Sequence, residues 1–306
     1  MYDSINMILS GESITNIDVL SEVPCNLYNS EQRDNGDYIY YTGHLKNLYI
    51  IVKSFRVTIR GSLAKYYYGN NFKILTRQDT QEAIEKLSKE LKIPVHMAKV
   101  TQIHFGINII TEAKPNNYYS CLGDCKHFER IPYLNSLIYR NKNRQIVIYD
   151  KAQEAMDKKS QIPKEWKGLN VLRIEPRYFS RIDCLNNCNP VFGYHLYEEN
   201  FYEGVRNRII EHYKSIYKIK KFVPLYNGDG TVNEYLKYSL AARSNERGYI
   251  TLIDEINMLD DNNFFKRDEY SSRVKKELKE ICNKFSSATK RPLLEELNSK
   301  IYNFRV

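Results

Sequence analysis

Between Lys99 and Thr111 the chain alternates cleanly. Thr101, Ile103, Phe105, Ile107 and Ile109 fall on one side, and Gln102, His104, Gly106 and Asn108 on the other. A period of two is that of a strand, so this segment is predicted as a core strand carrying a polar row on one face. The same pattern recurs. Tyr2–Leu9 is a short apolar-rich strand, and Phe55, Val57 and Ile59 alternate with Arg56, Thr58 and Arg60, which gives a half-buried strand with a basic second face. Leu134–Tyr139 and Arg144–Tyr149 flank the turn Arg140-Asn141-Lys142-Asn143, the signature of a hairpin. In Val171–Tyr178, Leu172 and Ile174 face one way while Arg173, Glu175 and Arg177 face the other. The polar stretch Asn29–Gly36 reads as a loop, followed by strands over Asp37–Thr42 and Leu45–Val52.

Helical spacing appears between and after these strands. Thr76-Arg77-Gln78-Asp79 is a capping box, with Ala83, Ile84, Leu87 and Leu91 behind it and Pro94 closing the segment. Asp150–Met156 is a helical run, and Tyr197–Ile216 is a long helix ended by the basic cluster Lys214–Lys221. Phe222–Gly230 reads as a linker, beyond which Thr231–Ser244, Glu246–Leu259, Lys266–Phe285 and Pro292–Phe304 are predicted helices. The expected fold is α+β. An antiparallel sheet with flanking helices spans residues 1–222, and a mostly helical domain spans 223–306.

Composition adds two points. Lysine and arginine exceed acids by 46 − 37 = 9, a field that attracts polyanions and makes nucleic acid a natural partner. No window approaches the ~18 apolar residues of a membrane span, and Met1–Ser13 lacks the basic start and apolar core of a signal peptide, so neither membrane spanning nor secretion is expected. Six cysteines, two pairs of them spaced Cys121-x3-Cys125 and Cys184-x3-Cys188, read first as reduced thiols. A zinc site built from those four is the competing reading, although structural zinc more often uses a two-residue gap.

The candidate chemistry lies on the strands. Tyr149 sits where a strand passes into a helix, so its phenol projects from a rigid element. Lys151, two residues on, can bring positive charge toward it, favouring the phenolate or neutralising a phosphate under attack. His104 and Glu175, each mid-strand, can hold a divalent cation from neighbouring strands. A core histidine and an internal ion pair of Glu175 with Arg173 or Arg177 account for the same residues without chemistry. Tyr66, Tyr67 and Tyr68 could stack unpaired bases, though packing explains three adjacent tyrosines as well.

Taken in order, Val100-Thr101-Gln102-Ile103-His104-Phe105-Gly106, Ile148-Tyr149-Asp150-Lys151 and Leu172-Arg173-Ile174-Glu175-Pro176-Arg177 resemble the rolling-circle replication initiators. The closest likeness is to the phage and plasmid group typified by the filamentous-phage gene II protein, and a more distant one is to Rep-trans plasmid initiators and relaxases. Gly61-Ser62-Leu63-x-Lys65 with Gly69-Asn70-Asn71 also fits that group, and the resemblance spans roughly residues 1–220. It implies an enzyme that nicks and rejoins DNA at a replication origin through a 5′-phosphotyrosine. Carried over, Tyr149 is the nucleophile, Lys151 supports it, Glu175 is a metal ligand or a water-orienting carboxylate, and His104 joins it in binding Mn²⁺ or Mg²⁺. Arg56, Arg60, Lys65, Arg173 and Arg177 then contact DNA phosphates. The family usually shows Arg-Ile-Asp where this chain has Gln102-Ile103-His104, so a histidine replaces a carboxylate. Imidazole binds Mn²⁺ well and Mg²⁺ poorly, which predicts stronger nicking in Mn²⁺.

The implied partners are single-stranded or supercoiled origin DNA and a host helicase, in bacterial cytoplasm. The helices beyond residue 223 would recognise duplex DNA, with a helix-turn-helix over Thr231–Leu259 bending near Asn245–Gly248, or would contact a partner. Three other readings carry different signatures. An origin-bound repressor binds without forming an adduct, a conjugative relaxase sits beside a transfer region, and a zinc-stapled module contains metal.

Overall fold

A computed structural model describes residues 1–14, 18–34, 36, 39–219, 221–222, 230–285, 288–289 and 291–304. The first half contains β1 (Tyr2–Ser10), α1 (Val19–Glu22), β2 (Tyr28–Asp34), β3 (Ile39–Leu45), β4 (Leu48–Lys53), β5 (Arg56–Ser62), α2 (Leu63–Tyr68), α3 (Arg77–Leu91), β6 (Lys99–Phe105) and β7 (Ile107–Thr111). Then come α4 (Pro115–Tyr119), β8 (Leu122–Cys125), β9 (Glu129–Pro132), β10 (Ser136–Arg140), β11 (Arg144–Asp150), α5 (Lys151–Asp157) and β12 (Asn170–Tyr178). The remainder is α6 (Glu199–Ser215), β13 (Ile216–Lys218), α7 (Val232–Arg247), α8 (Tyr249–Asp261), α9 (Asp268–Phe285) and α10 (Pro292–Tyr302).

An antiparallel sheet in the order β2-β3-β4-β5-β1-β6-β12-β11-β10-β9 dominates the fold, with β7 continuing β6 along β12. One face is apolar. Ile5, Met7, Val57, Ile59, Ile103, Phe105, Ile146, Ile148, Leu172 and Ile174 are all buried and share one core with α3 and α6. Each such side chain contributes ~1.5–3 kcal/mol by leaving water. The other face is polar and half open: Arg56 and Arg60 are exposed, and Tyr49, Asn6, Gln102, His104 and Arg177 are half-buried. Strand period thus sorts the chain into a packed side and a wet side, as the alternation from Lys99 to Thr111 requires.

Helix ends follow their local chemistry. Thr76 and Asp79 form the reciprocal cap at the start of α3. Ser62 caps α2, which ends at Gly69 with φ 79°. The tyrosine run Tyr66–Tyr68 therefore lies on a helix and not on a strand. Tyr66 is buried with its hydroxyl donating to Glu90 at 2.7 Å, and Tyr67 donates to Glu82.

Two expectations need correction. Asn29–Gly36 is no loop, because Tyr28–Asp34 is β2, an edge strand paired with β3. All seven of its residues are exposed, so neither face leaves an apolar trace in the sequence. Phe55, expected on a buried face, sits between β4 and β5 and is 77% exposed. The expected linker lies almost wholly in 223–229, outside the described residues.

The C-terminal helices begin and end within a few residues of the expected spans, and Gly248, with φ 101°, separates α7 from α8. The last helix returns to the sheet. Leu297 and Ile301 of α10 are fully buried in the main core, and Glu296 accepts from the Glu112 amide and the Tyr118 hydroxyl. Lys221–Phe222 pairs with Ala288–Thr289, so the chain entering the helices and the chain leaving them are hydrogen-bonded together.

The joint between α6 and the sheet is sensitive to acid. His212 shares a 2.7 Å hydrogen bond with the Tyr178 hydroxyl, and burial, with Arg144 and Arg208 nearby, pulls its pKa down to about 4. The unfolded chain takes up this proton near pH 6.5 while the native state resists it until about pH 4, so stability rises with pH between those values. The swing is on the order of 3 kcal/mol. Urea unfolding at pH 5 and pH 7 should differ by about 2 kcal/mol of that swing, and His212→Gln should flatten it; an unchanged slope in the variant would remove His212 as the cause.

Candidate active site

Register builds the site. Tyr149 of β11 lies opposite Arg173 of β12, which lies opposite Asn108 of β7. Farther along β12, Gln145 faces Arg177, which faces His104 of β6. Residues directly opposite in an antiparallel pair point to the same side, so Tyr149, Arg173, Glu175, Arg177, His104 and Asn108 share the polar face. Gly106, between β6 and β7, lies against Glu175. A Cβ there would come within 2.5 Å of the Ile174 carbonyl oxygen and 3.1 Å of Glu175 Cα, so only glycine lets the strands approach this closely.

Glu175 is the hub. Arg173 Nε donates to its Oε2 at 2.6 Å, Arg177 Nε to its Oε1 at 2.7 Å, and the Tyr149 hydroxyl to Oε2 at 2.9 Å. Arg173 also binds Asp3 Oδ2 at 3.1 Å and Asn108 Oδ1 at 3.0 Å. Asp3 in turn accepts from Ser62 Oγ and from Asn71 Nδ2. Arg173, Glu175 and Asp3 are all buried, so the charges are compensated inside the fold, as buried ions require.

This network sets the protonation states. Burial alone would raise the Glu175 pKa, but Arg173 and Arg177 outweigh it and hold the carboxyl well below its usual range. Burial pushes the Tyr149 phenol well above its ordinary value; Arg173 opposes the rise, while Glu175 and Asp3 add to it. Local positive charge from Arg173 does favour the phenolate, but burial outweighs it. Burial also lowers His104, with Arg177 and Arg173 contributing against Glu175, so the imidazole is neutral at pH 7.

Lys151 opens α5, where Asp150 caps the helix by accepting from the amides of Ala152 and Gln153. Its ammonium binds Glu154 Oε2 at 2.6 Å and lies 5.9 Å from the Tyr149 ring centroid. Burial and Arg173 lower its pKa. Two clefts flank α5. Tyr149 reaches the smaller, of about 270 Å³, beside Arg177, Ser136 and Lys158. Lys151 reaches the larger, of about 830 Å³, beside Lys65.

Tyr149, Lys151, Glu175, His104, Arg173 and Arg177 are thus brought together. Arg56 and Arg60 lie on the same sheet face, on β5, with β1 and β6 between them and β12. Arg173 does not reach the surface. It is 2% exposed, so its expected contact with DNA phosphate is replaced by an internal ion pair. Asp3, Ser62, Asn71 and Asn108 join the network without having been singled out for it by the sequence. Asn108 stands in the polar row already noted, whereas a single acid in β1 carries no local signal.

His104 and Glu175 have the protonation a cation needs, a neutral imidazole and an ionised carboxylate, with Nδ1 3.9 Å from Oε1. Their occupancy does not fit one: both carboxylate oxygens already accept from guanidinium groups. Among the described residues no group of three or more His, Cys, Asp or Glu comes together, and the four paired cysteines do not converge. Cys125 meets Ser215 at 3.3 Å, while Cys184 accepts from Arg144 at 3.1 Å.

No helix among the described residues is long and apolar enough to cross a membrane. A family model for the N-terminal part of a phage replication-associated protein, the gene II protein, matches residues 1–196, which include every residue of the network. No curated protein matches the chain.

Proposed function

The chain belongs to this replication-associated family, a family of replication initiators, and from that premise we propose that it nicks and rejoins one DNA strand at an origin, with Tyr149 as the nucleophile. The observation that carries the reading is the Tyr149 hydroxyl 2.9 Å from an ionised carboxylate flanked by two guanidinium groups, on the half-open face of the sheet. Phenol, proton acceptor and, in Arg177 at the rim, a phosphate-binding cation are the parts that in-line attack on a phosphodiester needs.

In the resting arrangement the phenol is held high and the carboxylate low, so proton transfer between them is uphill. A DNA phosphate entering beside Arg177, whose side chain is 29% exposed, competes with Glu175 for that guanidinium. Glu175 then loses one stabilising partner, its basicity rises, and it takes the Tyr149 proton as the phenolate oxygen attacks phosphorus. The P–O3′ bond breaks, leaving a 5′-phosphotyrosine. The departing 3′ oxygen takes a proton from Lys151, which is 1% exposed and must first leave Glu154; its lowered pKa suits it to that donation. Arg56 and Arg60 track the strand across the sheet. Residues 1–222 form the nicking unit in this reading, with α10 packed into their core, and α7, α8 and α9 contact duplex origin DNA or a partner, in the cytoplasm of a bacterial host.

A requirement for Mn²⁺ or Mg²⁺ at His104 and Glu175 belongs to the same proposal. It needs Arg177 to leave Oε1, and no step above depends on it. The test incubates purified protein with labelled single-stranded DNA from the neighbourhood of its own gene, in Mn²⁺ or Mg²⁺, and reads covalent adduct on a denaturing gel. An adduct is expected, stronger in Mn²⁺. Equal yield in both metals would remove His104 as a direct ligand. Tight binding with no adduct on any tiled fragment would instead support an origin-bound repressor, the reading that the locked phenol favours.

A further inference from the structure

We propose that the larger cleft beside α5 is the entry channel for the unpaired strand, with Lys164 and Lys167 as phosphate contacts. The inference rests on the nicking reading for its ligand and adds a site to it. The cleft lies between the turn Gly69–Phe72 after α2 and the segment Ser160–Lys167 that follows α5. Four lysines line it, Lys65, Lys151, Lys164 and Lys167, against a single acid, Glu154. Lys151 and Lys158 already bind that acid, at 2.6 and 2.5 Å. Lys65, Lys164 and Lys167 form no ion pair among the described residues, and Lys164 and Lys167 are exposed. Three uncompensated cations in one concavity repel each other, and an anion spanning them removes that cost.

The wall that carries them is anchored. Trp166, the only tryptophan, packs its ring 5.7 Å from Phe72, holding the lysine-bearing segment against the turn. Lys151 Nζ lies 5.4 Å from the centroid of the same Phe72 ring and 5.9 Å from that of Tyr149. A chain of phosphates passing Lys164, Lys167 and Lys65 is therefore brought close to Lys151, which is 1% exposed and paired with Glu154, and so to the neighbourhood of the nucleophile. The smaller cleft, on the Tyr149 side, shares Glu154 as a wall and carries Arg177 and Lys158. The two clefts together make a path on both sides of the reacting position. A volume of about 830 Å³ is that of a small-ligand site, enough for single-strand backbone and too small for a duplex.

The test uses the full chain. Lys164→Gln/Lys167→Gln is compared with wild type by fluorescence anisotropy on a labelled single strand, across a series of salt concentrations. Affinity should fall by about tenfold at low salt. The slope of log K against log salt should shrink by ~1.4, about 0.7 for each phosphate contact on a single strand. Lys89→Gln on α3 with Lys126→Gln after β8 removes the same charge from exposed positions outside both clefts and should leave both quantities near wild type. An unchanged slope in the cleft variant, or an equal loss in this control, overturns the proposal. Inorganic phosphate, added at constant ionic strength, should not displace the strand; displacement from wild type but not from the cleft variant would mark a free-phosphate site and overturn it too. The readout is binding alone. A protein that forms no adduct can still show the slope change, and one that forms adduct without it keeps the nicking reading while losing the channel.

Discussion

Tyr149→Phe should abolish the covalent DNA adduct, by a factor of about 10³ or more, and leave strand affinity within about twofold. The change removes one oxygen and nothing else. The ring stays packed at a position 7% exposed, and Lys151 keeps its aromatic neighbour. Glu175 loses its contact from the phenol but retains Arg173 and Arg177, so the fold should lose only ~1 kcal/mol. Activity and stability therefore separate. Denaturing gels read the adduct, anisotropy the binding and urea unfolding the stability. An adduct that survives the substitution transfers the nucleophile to another tyrosine, and Tyr149 then remains as a hydrogen-bonding strut for Glu175.

Glu175→Gln should have a large effect on stability, a loss of ~3 kcal/mol, with melting about 6–12 °C lower. The amide matches the carboxylate in shape, but its NH₂ group must face one of the guanidinium N–H groups that now donate to Oε1 and Oε2. Arg177 can turn to water. Arg173 cannot, and it is left with Asp3 as its single charged partner in a buried position. Adduct formation should fall as well, since the proton acceptor is gone. Asp3→Asn is the informative companion. It strips Arg173 of its other anion without touching the phenol, so it should destabilise comparably while leaving the Mn²⁺ over Mg²⁺ preference unchanged. A Glu175→Gln protein as stable as wild type would mean that the ion network contributes no net stability.

Much of the site is legible because strand period does not depend on tertiary context. The row Gln102, His104, Gly106, Asn108 and the row Arg173, Glu175, Arg177 each fall on one side of a strand by alternation alone. The structure sets them face to face, with Gly106 at the closest approach. Alternation assigns a side, however, and not a depth. It does not separate Arg177, at the rim, from Arg173, sealed beneath Asp3 and the Asn71 turn. Depth is set by what covers the face, and those covers come from residues 102 and 170 positions away. Asp3 is hidden for the same reason. β2 escapes on opposite grounds: a strand exposed on both faces has no period to read, and only its backbone pairing with β3 defines it.

The ladder between Lys221–Phe222 and Ala288–Thr289 has a mechanical meaning. With α10 seated in the main core, the helices α7, α8 and α9 leave and rejoin the fold through one neck, and α7 also meets β8, where Arg247 lies 3.6 Å from Asp124. Two hydrogen-bonded chains at that neck resist twisting better than one covalent connection would. A load on these helices is therefore shared between a double tether and the Arg247–Asp124 contact. The tether's far end, α10, holds the loop after β7 through the Glu112 amide.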